Sequence, residues 1–180
     1  LAPLTPAQAA LQLNPDYHID IGSHLRFVAV ISAFVNTYFF DYRPVRLTLT
    51  GLKCGHADLT SLPFKNDSIY SLSCMHVVEH VGLGRYGDKL DVKGDLKAIE
   101  ELKRVLAPNG HLFFVVPVGK PRILFNAHRI YSSAQIQSYF KGLKLLEFAI
   151  ITDEGKFINQ AKTKLADKQK YGCGCFHFEK

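Results

Sequence analysis

The sequence feature that most constrains the fold is a short apolar segment that ends at a glycine and leads directly into a longer apolar segment. Residues Tyr17 to Ile21 have the length of a strand and are followed by Gly22, and His24 to Phe34 has the length of a helix. This pattern predicts a strand, a turn and a helix. A unit of this kind is typical of a mostly parallel sheet with helices on both faces.

The rest of the chain repeats this alternation. The other predicted strands are Asn36 to Phe40, either Arg46 to Leu52 or Leu52 to Ala57, Ile69 to Met75, His111 to Val116, Leu143 to Ile151 and Tyr171 to Phe178. The other predicted helices are Thr5 to Leu13, Asp95 to Leu106, and Ser132 or Ser133 to Phe140. We therefore expect one doubly wound α/β domain over residues 1–180, with residues 1–16 as a helical lead-in and ligands at the carboxyl ends of the strands.

Composition argues against several other classes of protein. The 180 residues are 47% apolar, enough for one core, and no run approaches the roughly 20 apolar residues of a membrane span. The segment Leu1 to Leu13 lacks the pattern of a secretory signal, and four unevenly spaced cysteines do not make a disulfide framework. We expect a soluble cytoplasmic protein with reduced thiols. The net charge of +6 is scattered along the chain, which argues against a nucleic-acid partner.

Acidic residues follow three successive predicted strands. Asp20 comes at the end of the first strand, Asp41 ends the second, and Asp58 with Leu59 follows the third. Because these ends meet at one edge of a parallel sheet, the three acids favour a site for a nucleoside-type cofactor. The alternative is that each aspartate only caps a turn or a helix, as aspartate often does.

The order of these residues resembles the class I S-adenosylmethionine (SAM) dependent methyltransferases. The motifs that carry the resemblance are Asp20-Ile21-Gly22, Asp41, Gly55 to Phe64, Asp67 to Tyr70, Ser71 to His80 and Glu101 to Leu112. Two further segments, His80 to Asp88 and Phe125 to Arg129, resemble a small family described as a domain of unknown function. One departure is that Gly22 is followed by Ser23 and His24, where the methyltransferase pattern has further glycines.

This resemblance implies a Rossmann-like methyltransferase fold with SAM as the cofactor. It implies a seven-stranded sheet whose last strand runs antiparallel between the fifth and sixth strands. The cofactor residues that it implies are Asp20, Gly22, Asp41, Asp58, Leu59 and Ser73. The expected reaction is methyl transfer to a small-molecule or glycan-type acceptor, and the alternative is a noncatalytic module that binds a ligand or serves as a scaffold.

Residues near the predicted acceptor side are candidates for chemistry. His76 and His80 follow the fourth strand, where a histidine could accept a proton at neutral pH or serve as a hydrogen-bonded structural residue. The candidates for binding the acceptor are Arg85, Tyr86, His128 and Arg129. The two arginines could instead bind a loop carboxylate or carbonyl.

Other chemistries have weaker support in the sequence. A dehydrogenase would need a Gly-x-Gly-x-x-Gly pattern after the first strand, and a serine hydrolase of the α/β type would need Gly-x-Ser-x-Gly. Neither pattern occurs here. Cys173, Cys175 and His177 alternate along one predicted strand, but they do not surround an ion well, so we expect no metal site.

Overall fold

The computed structural model describes residues 12–43 and 45–180, and its central element is an eight-stranded sheet. The strands are β1 His18–Ile21, β2 Thr37–Asp41, β3 Leu52–His56, β4 Ile69–Met75, β5 Leu106–Val118, β6 Arg122–Leu124, β7 His128–Ile130, β8 Lys144–Ile151, β9 Phe157–Ile158 and β10 Gly172–Glu179. The helices are α1 Leu25–Ile31, α2 Gly94–Val105 and α3 Ser133–Tyr139, and Val78–His80 and Thr163–Lys168 are 3₁₀ turns.

The strand order confirms the predicted doubly wound, mostly parallel sheet. It runs β3-β2-β1-β4-β5-β10-β8-β9, and β10 is antiparallel to both of its neighbours. The antiparallel strand therefore lies between the fifth strand and β8, as the resemblance implies. The sheet has one strand more than predicted because Phe157–Ile158 pairs with the free edge of β8.

Side chains from the two faces of the sheet pack into separate apolar clusters. On one face, Leu72 and Phe114 pack with Ile99 and Leu102 of α2. On the other face, Ile31 of α1 packs in a cluster with Phe113 of β5. This division follows from the strand period of two, since neighbouring residues of β5 point to opposite faces.

The three helices begin and end close to the predicted positions. Ser132 caps α3, and Gln135 completes a capping box with it. Helix α1 ends at Ile31, earlier than the predicted Phe34, because the Ser32 hydroxyl donates to the Ala29 carbonyl at 2.9 Å and the chain then turns towards β2.

Some of the structure was not predicted, and one prediction cannot be compared. The antiparallel pair of β6 and β7 has neither an alternating apolar pattern nor a two-residue turn. The predicted helix Thr5 to Leu13 and most of the lead-in over residues 1–16 lie outside the described residues. In the part of the chain that is described, no helix has the length and apolar character needed to cross a membrane.

Candidate active site

A cavity of about 590 Å³ opens at the carboxyl ends of the parallel strands. Residues that follow the first four strands form one part of its wall, and the segment that leads into α2 forms the rest. The lining residues are Ile21, Gly22, Asp41, Tyr42, Arg43, Ala57, Asp58, Leu59, Thr60, His76, Val77, His80, Val81, Gly82, Tyr86, Asp88, Lys89, Leu90, Asp91, Gly94 and Lys97. The cavity therefore lies where ligands bind in doubly wound sheets.

Gly22 forms the turn between β1 and α1. Its φ of +71° is in the left-handed region, and a Cβ atom at this position would lie 3.0 Å from Val77 Cγ1. The next residue, Ser23, accepts a hydrogen bond from the Met75 N–H at 3.0 Å. A side-chain hydrogen bond thus fixes this loop to the end of β4, where the methyltransferase pattern has further glycines.

The structure places Asp20 and Ser73 behind the cavity wall and not on it. Both are fully buried, and Asp20 accepts hydrogen bonds from the Ser23 N–H at 3.0 Å and from the Ser73 hydroxyl. His18 is buried beside them, with Nε2 2.8 Å from Ser73 Oγ and Nδ1 2.8 Å from Ser71 Oγ. Their contact with a cofactor stays a prediction; in the structure their polar groups bind one another and the Ser23 N–H and hold the turn before Gly22.

This buried network has shifted protonation equilibria. Burial raises the pKa of Asp20 to about 6, although hydrogen bonds from Ser23 and Ser73 oppose the shift. Burial also lowers the pKa of His18 to about 4. Both groups therefore favour their neutral forms more strongly than they would in water.

Asp41, Asp58 and Leu59 lie on the wall of the cavity, as predicted for residues at these strand ends. Asp41 accepts the Arg43 N–H at 2.7 Å, and Asp58 accepts the N–H and hydroxyl of Thr60 at 2.8 and 2.7 Å. Each carboxylate therefore also caps its own turn, which was the alternative interpretation. Leu59 is buried and gives this part of the wall an apolar surface.

The segment after β4 brings two histidines and a glutamate together. Glu79 is buried, and its Oε1 lies 3.1 Å from His76 Nδ1 and 3.8 Å from His80 Nε2. His80 Nδ1 contacts the Ala127 carbonyl oxygen, so this nitrogen carries the proton and Nε2 is the acceptor in the neutral ring. His76 Nε2 lies 3.4 Å from Cys173 Sγ, so both of its ring nitrogens have protein partners.

Residues 82–94 form a loop, called loop 82–94 below, that covers one side of the cavity. The Asp88 carboxylate accepts the N–H groups of Gly82, Gly84 and Tyr86 at 2.7, 3.3 and 3.2 Å. Burial alone would raise the pKa of Asp88, but these hydrogen bonds together hold it below its usual value. The Arg43 guanidinium lies 4.4 Å from the centre of the Tyr86 ring, which joins the loop to the end of β2.

Of the four residues predicted to bind an acceptor, only Tyr86 lies on the cavity wall. Arg85 is exposed at the surface of the loop. Arg129 is buried, and it donates to the carbonyls of Val81 at 2.7 Å and Val92 at 3.4 Å. The anion clamp by Arg129 stays a prediction, and the structure shows the contacts of its alternative: the guanidinium binds two loop carbonyls and lies 3.4 Å from the Asp95 carboxylate.

His128 lies behind His80, away from the cavity wall. Its ring is 6.2 Å from that of His80 and 5.0 Å from that of Tyr171, between ring centres. Burial is the main cause that lowers its pKa, and its Nε2 is buried without a hydrogen-bond partner among the described residues. His128 thus packs between the rings of His80 and Tyr171, and its contact with an acceptor stays a prediction.

Two contributors to the site were not identified from the sequence. Arg43 follows Asp41 by two positions and could have been considered on that ground, but its partner Tyr86 belongs to another loop. Cys173 was considered only as a metal ligand, and its contact with His76 joins residues 97 positions apart. Within the described ranges, no cluster of three or more histidine, cysteine, aspartate or glutamate side chains has the arrangement of a metal site.

Comparisons with known proteins agree with this architecture. Residues 62–173 match a family described as "Caenorhabditis protein of unknown function, DUF268". The comparison with curated proteins gives no match. This family match covers more than half of the chain and includes loop 82–94, and it ends at the start of β10.

Solved structures show the same fold at low sequence identity. The chain found in complex with the Haloferax volcanii Trm112 methyltransferase activator is 18% identical, with a TM-score of 0.66 over 97% of this chain and 88% of that chain. The N-methyltransferase NodS from Bradyrhizobium japonicum, solved with S-adenosyl-L-homocysteine, is 14% identical, with a TM-score of 0.60 over 95% and 82%. A SAM-dependent methyltransferase from Aquifex aeolicus is 13% identical, with a TM-score of 0.55 over 96% and 88%. The fold is that of class I SAM-dependent methyltransferases.

Proposed function

The chain belongs to the DUF268 family, and we propose that this member transfers a methyl group from SAM to a small-molecule or glycan-type acceptor. The observation that carries the proposal is the cavity at the carboxyl ends of the strands, with Gly22, Asp41, Asp58 and Leu59 on one side and His80 on the other. The methyltransferase fold supports the choice of cofactor. The four free cysteines support a cytoplasmic location.

The residues on the wall fit the chemical groups of SAM. Gly22 leaves room for close approach of a ligand, since a Cβ atom would already crowd Val77 at 3.0 Å. Carboxylates at Asp41 and Asp58 accept hydrogen bonds from hydroxyl and amino groups, and the buried Leu59 offers an apolar contact for a ring. In this proposal Asp20 and Ser73 hold the turn before Gly22 and do not contact the cofactor.

The acceptor would enter between the segment after β4 and loop 82–94. SAM, when bound, supplies an electrophilic methyl group. The protein aligns the acceptor, excludes water and accepts a proton where the acceptor must lose one. We assign the proton acceptor to His80 Nε2, because Nδ1–H is held by the Ala127 carbonyl and Glu79 lies 3.8 Å away to stabilise the charged ring.

His76 has a different place in this proposal. It lies on the cavity wall, but its ring nitrogens contact Glu79 and Cys173. A histidine with both nitrogens occupied has no lone pair to offer an acceptor. We therefore propose that His76 shapes the acceptor side and that His80 is the base, with Tyr86 of the loop contacting the acceptor.

Isothermal titration calorimetry with SAM and with S-adenosylhomocysteine tests the proposal. We expect binding of both ligands in the micromolar range, and slow transfer of labelled methyl groups when mixed pools of small hydroxy, amino and sugar compounds are supplied. The test variant is Asp41→Ala. Its matched control is Asp16→Ala, since Asp16 is exposed and lies outside the cavity. Absence of binding at high micromolar ligand would refute the assignment.

A noncatalytic ligand-binding or scaffold protein is the second candidate. The observation that favours it is the loop after β1, where Ser23 is buried and bound to the Met75 N–H in place of flexible glycines. Such a loop narrows the approach to a cofactor. SAM binding with no methyl transfer to any acceptor pool, in the native protein and in His80→Gln alike, would select this candidate.

A further inference from the structure

A thiol, an imidazole and a carboxylate stand in line on the acceptor side of the cavity. Cys173 Sγ, near the start of β10, lies 3.4 Å from His76 Nε2, and His76 Nδ1 lies 3.1 Å from Glu79 Oε1. Cys173 belongs to β10, and His76 and Glu79 belong to the segment after β4. This is the order in which enzymes activate a nucleophilic cysteine, with a base beside the thiol and an acid that orients the base.

The positions of the imidazole and the carboxylate are held by the fold. His76 has a φ of +58°, which is unfavourable for a residue with a Cβ atom and is found where the surrounding structure imposes it. Glu79 is only 1% exposed, and its Oε2 is buried with no hydrogen-bond partner among the described residues. A buried carboxylate with an unused oxygen is costly unless a cation lies beside it. The rings of His76 and His80 both lie beside it, and His76 is the nearer of the two, at 3.1 Å against 3.8 Å.

The groups around the Cys173 thiol favour an ion pair between its thiolate and the His76 imidazolium. A hydrogen bond from the Cys175 thiol lowers the pKa of Cys173, burial opposes this, and the contact with His76 lowers the pKa further. The contact with Cys173, followed by that with Glu79, raises the pKa of His76. Glu79 acts on Cys173 in the opposite direction, but it is the more distant charge. Tyr171, which is also close, has its pKa raised mainly by burial and does not compete as an acid.

We propose that Cys173 is a nucleophilic thiolate that reacts with small hydroperoxides, with His76 as the acid for the departing oxygen and Glu79 as the positioning residue. The thiolate sulfur attacks one peroxide oxygen, the S–O bond forms and the O–O bond breaks. The departing oxygen takes the proton from His76. The products are a sulfenic acid at Cys173, an alcohol or water, and a neutral His76, so sulfur is oxidised by two electrons and the peroxide is reduced.

The geometry favours a hydroperoxide over other electrophiles. A carbon electrophile that releases a thioether or a halide needs no proton, so it would make no use of the imidazolium. An acyl group needs donors for a tetrahedral oxyanion in addition to the nucleophile and the acid. Displacement at a peroxide oxygen needs a thiolate, an acid in line and access for a small molecule. Cys173 is half-buried and His76 is exposed at the cavity edge, which gives that access.

Oxidation at Cys173 would change the acceptor side of the cavity. His76 lies on the cavity wall, and the reaction removes both its positive charge and the negative charge of its partner. Neither SAM nor an acceptor takes part in this step. The inference therefore stands independently of methyl transfer and is tested on the full chain without SAM.

The test is sulfenic acid trapping with dimedone after brief treatment with hydrogen peroxide at pH 6, followed by mass spectrometry. Cys54 is the internal control, because it is also half-buried and its thiol donates to the Leu47 carbonyl at 3.8 Å and packs against an apolar cluster. Trypsin places Cys54 in residues 54–65 and Cys173, together with Cys175, in residues 171–180, and fragmentation of the second peptide assigns the label to one of its two thiols. We expect Cys173 to react on the order of 100-fold faster than Cys54 at this pH.

Two variants separate the imidazole from the carboxylate. His76→Asn removes the acid while keeping a residue that tolerates positive φ, and we expect the rate at Cys173 to fall about 100-fold, to that of Cys54. Glu79→Gln keeps the shape and removes the charge. We expect a fall of about 10-fold and a shift of the pH profile of iodoacetamide alkylation at Cys173 to higher pH.

Three outcomes would overturn the inference. One is equal dimedone labelling of Cys173 and Cys54 at pH 6. Another is an unchanged rate in a folded His76→Asn variant, or an unchanged pH profile in Glu79→Gln. The third is formation of a thioester at Cys173 from p-nitrophenyl acetate with no sulfenic acid from peroxide, which would identify an acyl group as the partner instead.

Discussion

The two sides of the cavity are built in different ways. On the side called the cofactor half, Gly22, Asp41, Asp58 and Leu59 stand at or just after strand ends, and the two carboxylates bind N–H groups two positions away. On the acceptor half, formed by residues 76–80 and loop 82–94, contacts join distant parts of the chain. Examples are His76 with Cys173 and His80 with Ala127, 97 and 47 positions apart. Contacts between residues close in sequence therefore form the cofactor half, and contacts between residues distant in sequence form the acceptor half.

Because of this difference, we expect the two halves to respond differently to single substitutions. A substitution in the cofactor half removes one contact with a ligand and leaves its neighbours in place. A substitution at the base of the acceptor half disturbs several contacts together, because loop 82–94, the β6–β7 pair and β10 meet there. The predictions below test that contrast, from the largest expected effect to the smallest.

Gly82→Ala should have the largest effect. A Cβ atom at Gly82 would lie 2.1 Å from the Asp91 carbonyl oxygen, at a φ of +79°. We expect the free energy of unfolding to fall by on the order of 3 kcal/mol or more, measured by urea denaturation. Gly87→Ala is the matched control, since Gly87 has a φ of +85° but nothing within 4 Å of the added atom. Its expected loss is about 1 kcal/mol, and equal losses in the two variants would show that loop 82–94 is not tightly seated.

The buried pair behind the cofactor half should show opposed pH effects. The raised pKa of Asp20, about 6, makes its contribution to stability largest below the unfolded value near 3.8 and lost as pH rises through 6. The lowered pKa of His18, about 4, makes stability increase as pH rises from 4 to 6.5. In the native protein the two effects largely cancel.

Single variants should separate these two effects. Asp20→Asn should leave a stability that increases between pH 4 and 6.5, and His18→Asn a stability that decreases between pH 3.8 and 6, each by on the order of 2 to 3 kcal/mol. Chemical denaturation at a series of pH values measures both. The same pH dependence in both variants would contradict the burial that we describe.

Asp41→Ala should weaken SAM binding by on the order of 10- to 100-fold, because a carboxylate that accepts hydrogen bonds from a ligand is lost. Calorimetry measures this loss against Asp16→Ala. The same variant should leave dimedone labelling of Cys173 unchanged, since Asp41 belongs to the other half of the cavity. A parallel change in thiol reactivity would show that the two halves are coupled.

Arg43→Ala should have the smallest effect. It removes the contact between the guanidinium and the Tyr86 ring at 4.4 Å, worth about 0.5 to 1 kcal/mol. We expect faster limited proteolysis within loop 82–94 with little change in global stability. Arg46→Ala, at an exposed position outside the cavity wall, is the control. Equal proteolysis rates in the two variants would show that the contact between Arg43 and Tyr86 does not hold loop 82–94 in place.

Most of the fold and half of the site could be predicted from the sequence. The mostly parallel sheet and the wall positions of Asp41 and Asp58 follow from strand spacing and strand ends, which are local properties, whereas the antiparallel β10 was implied by the resemblance to class I methyltransferases. The predicted span of β4, Ile69 to Met75, matches the structure. These features could be predicted because they depend on residues that are close together in the sequence.

The remaining contacts depend on packing that the sequence does not display. Whether Asp20 faces the cavity or the interior depends on which face of β1 meets Ser73 of β4, a pairing between strands. The direction of Arg129 depends on where the carbonyls of Val81 and Val92 come to lie. The contact of Cys173 with His76 requires the β10 register against β5, so spacing along the chain could not reveal it.

The central position of β10 has a consequence for how the chain is made. Strand β8 joins the sheet only through β10, so during synthesis β8 and β9 are complete before the strand that connects them to β5 exists. Until residues 172–179 are synthesised, β5 has one open edge and β8 has another. Unpaired apolar strand edges invite association with other chains. A chain that lacks residues 172–179 would therefore expose two apolar strand edges, and pairing of β10 with β5 closes contacts between residues distant in sequence, which is a slow kind of step in folding.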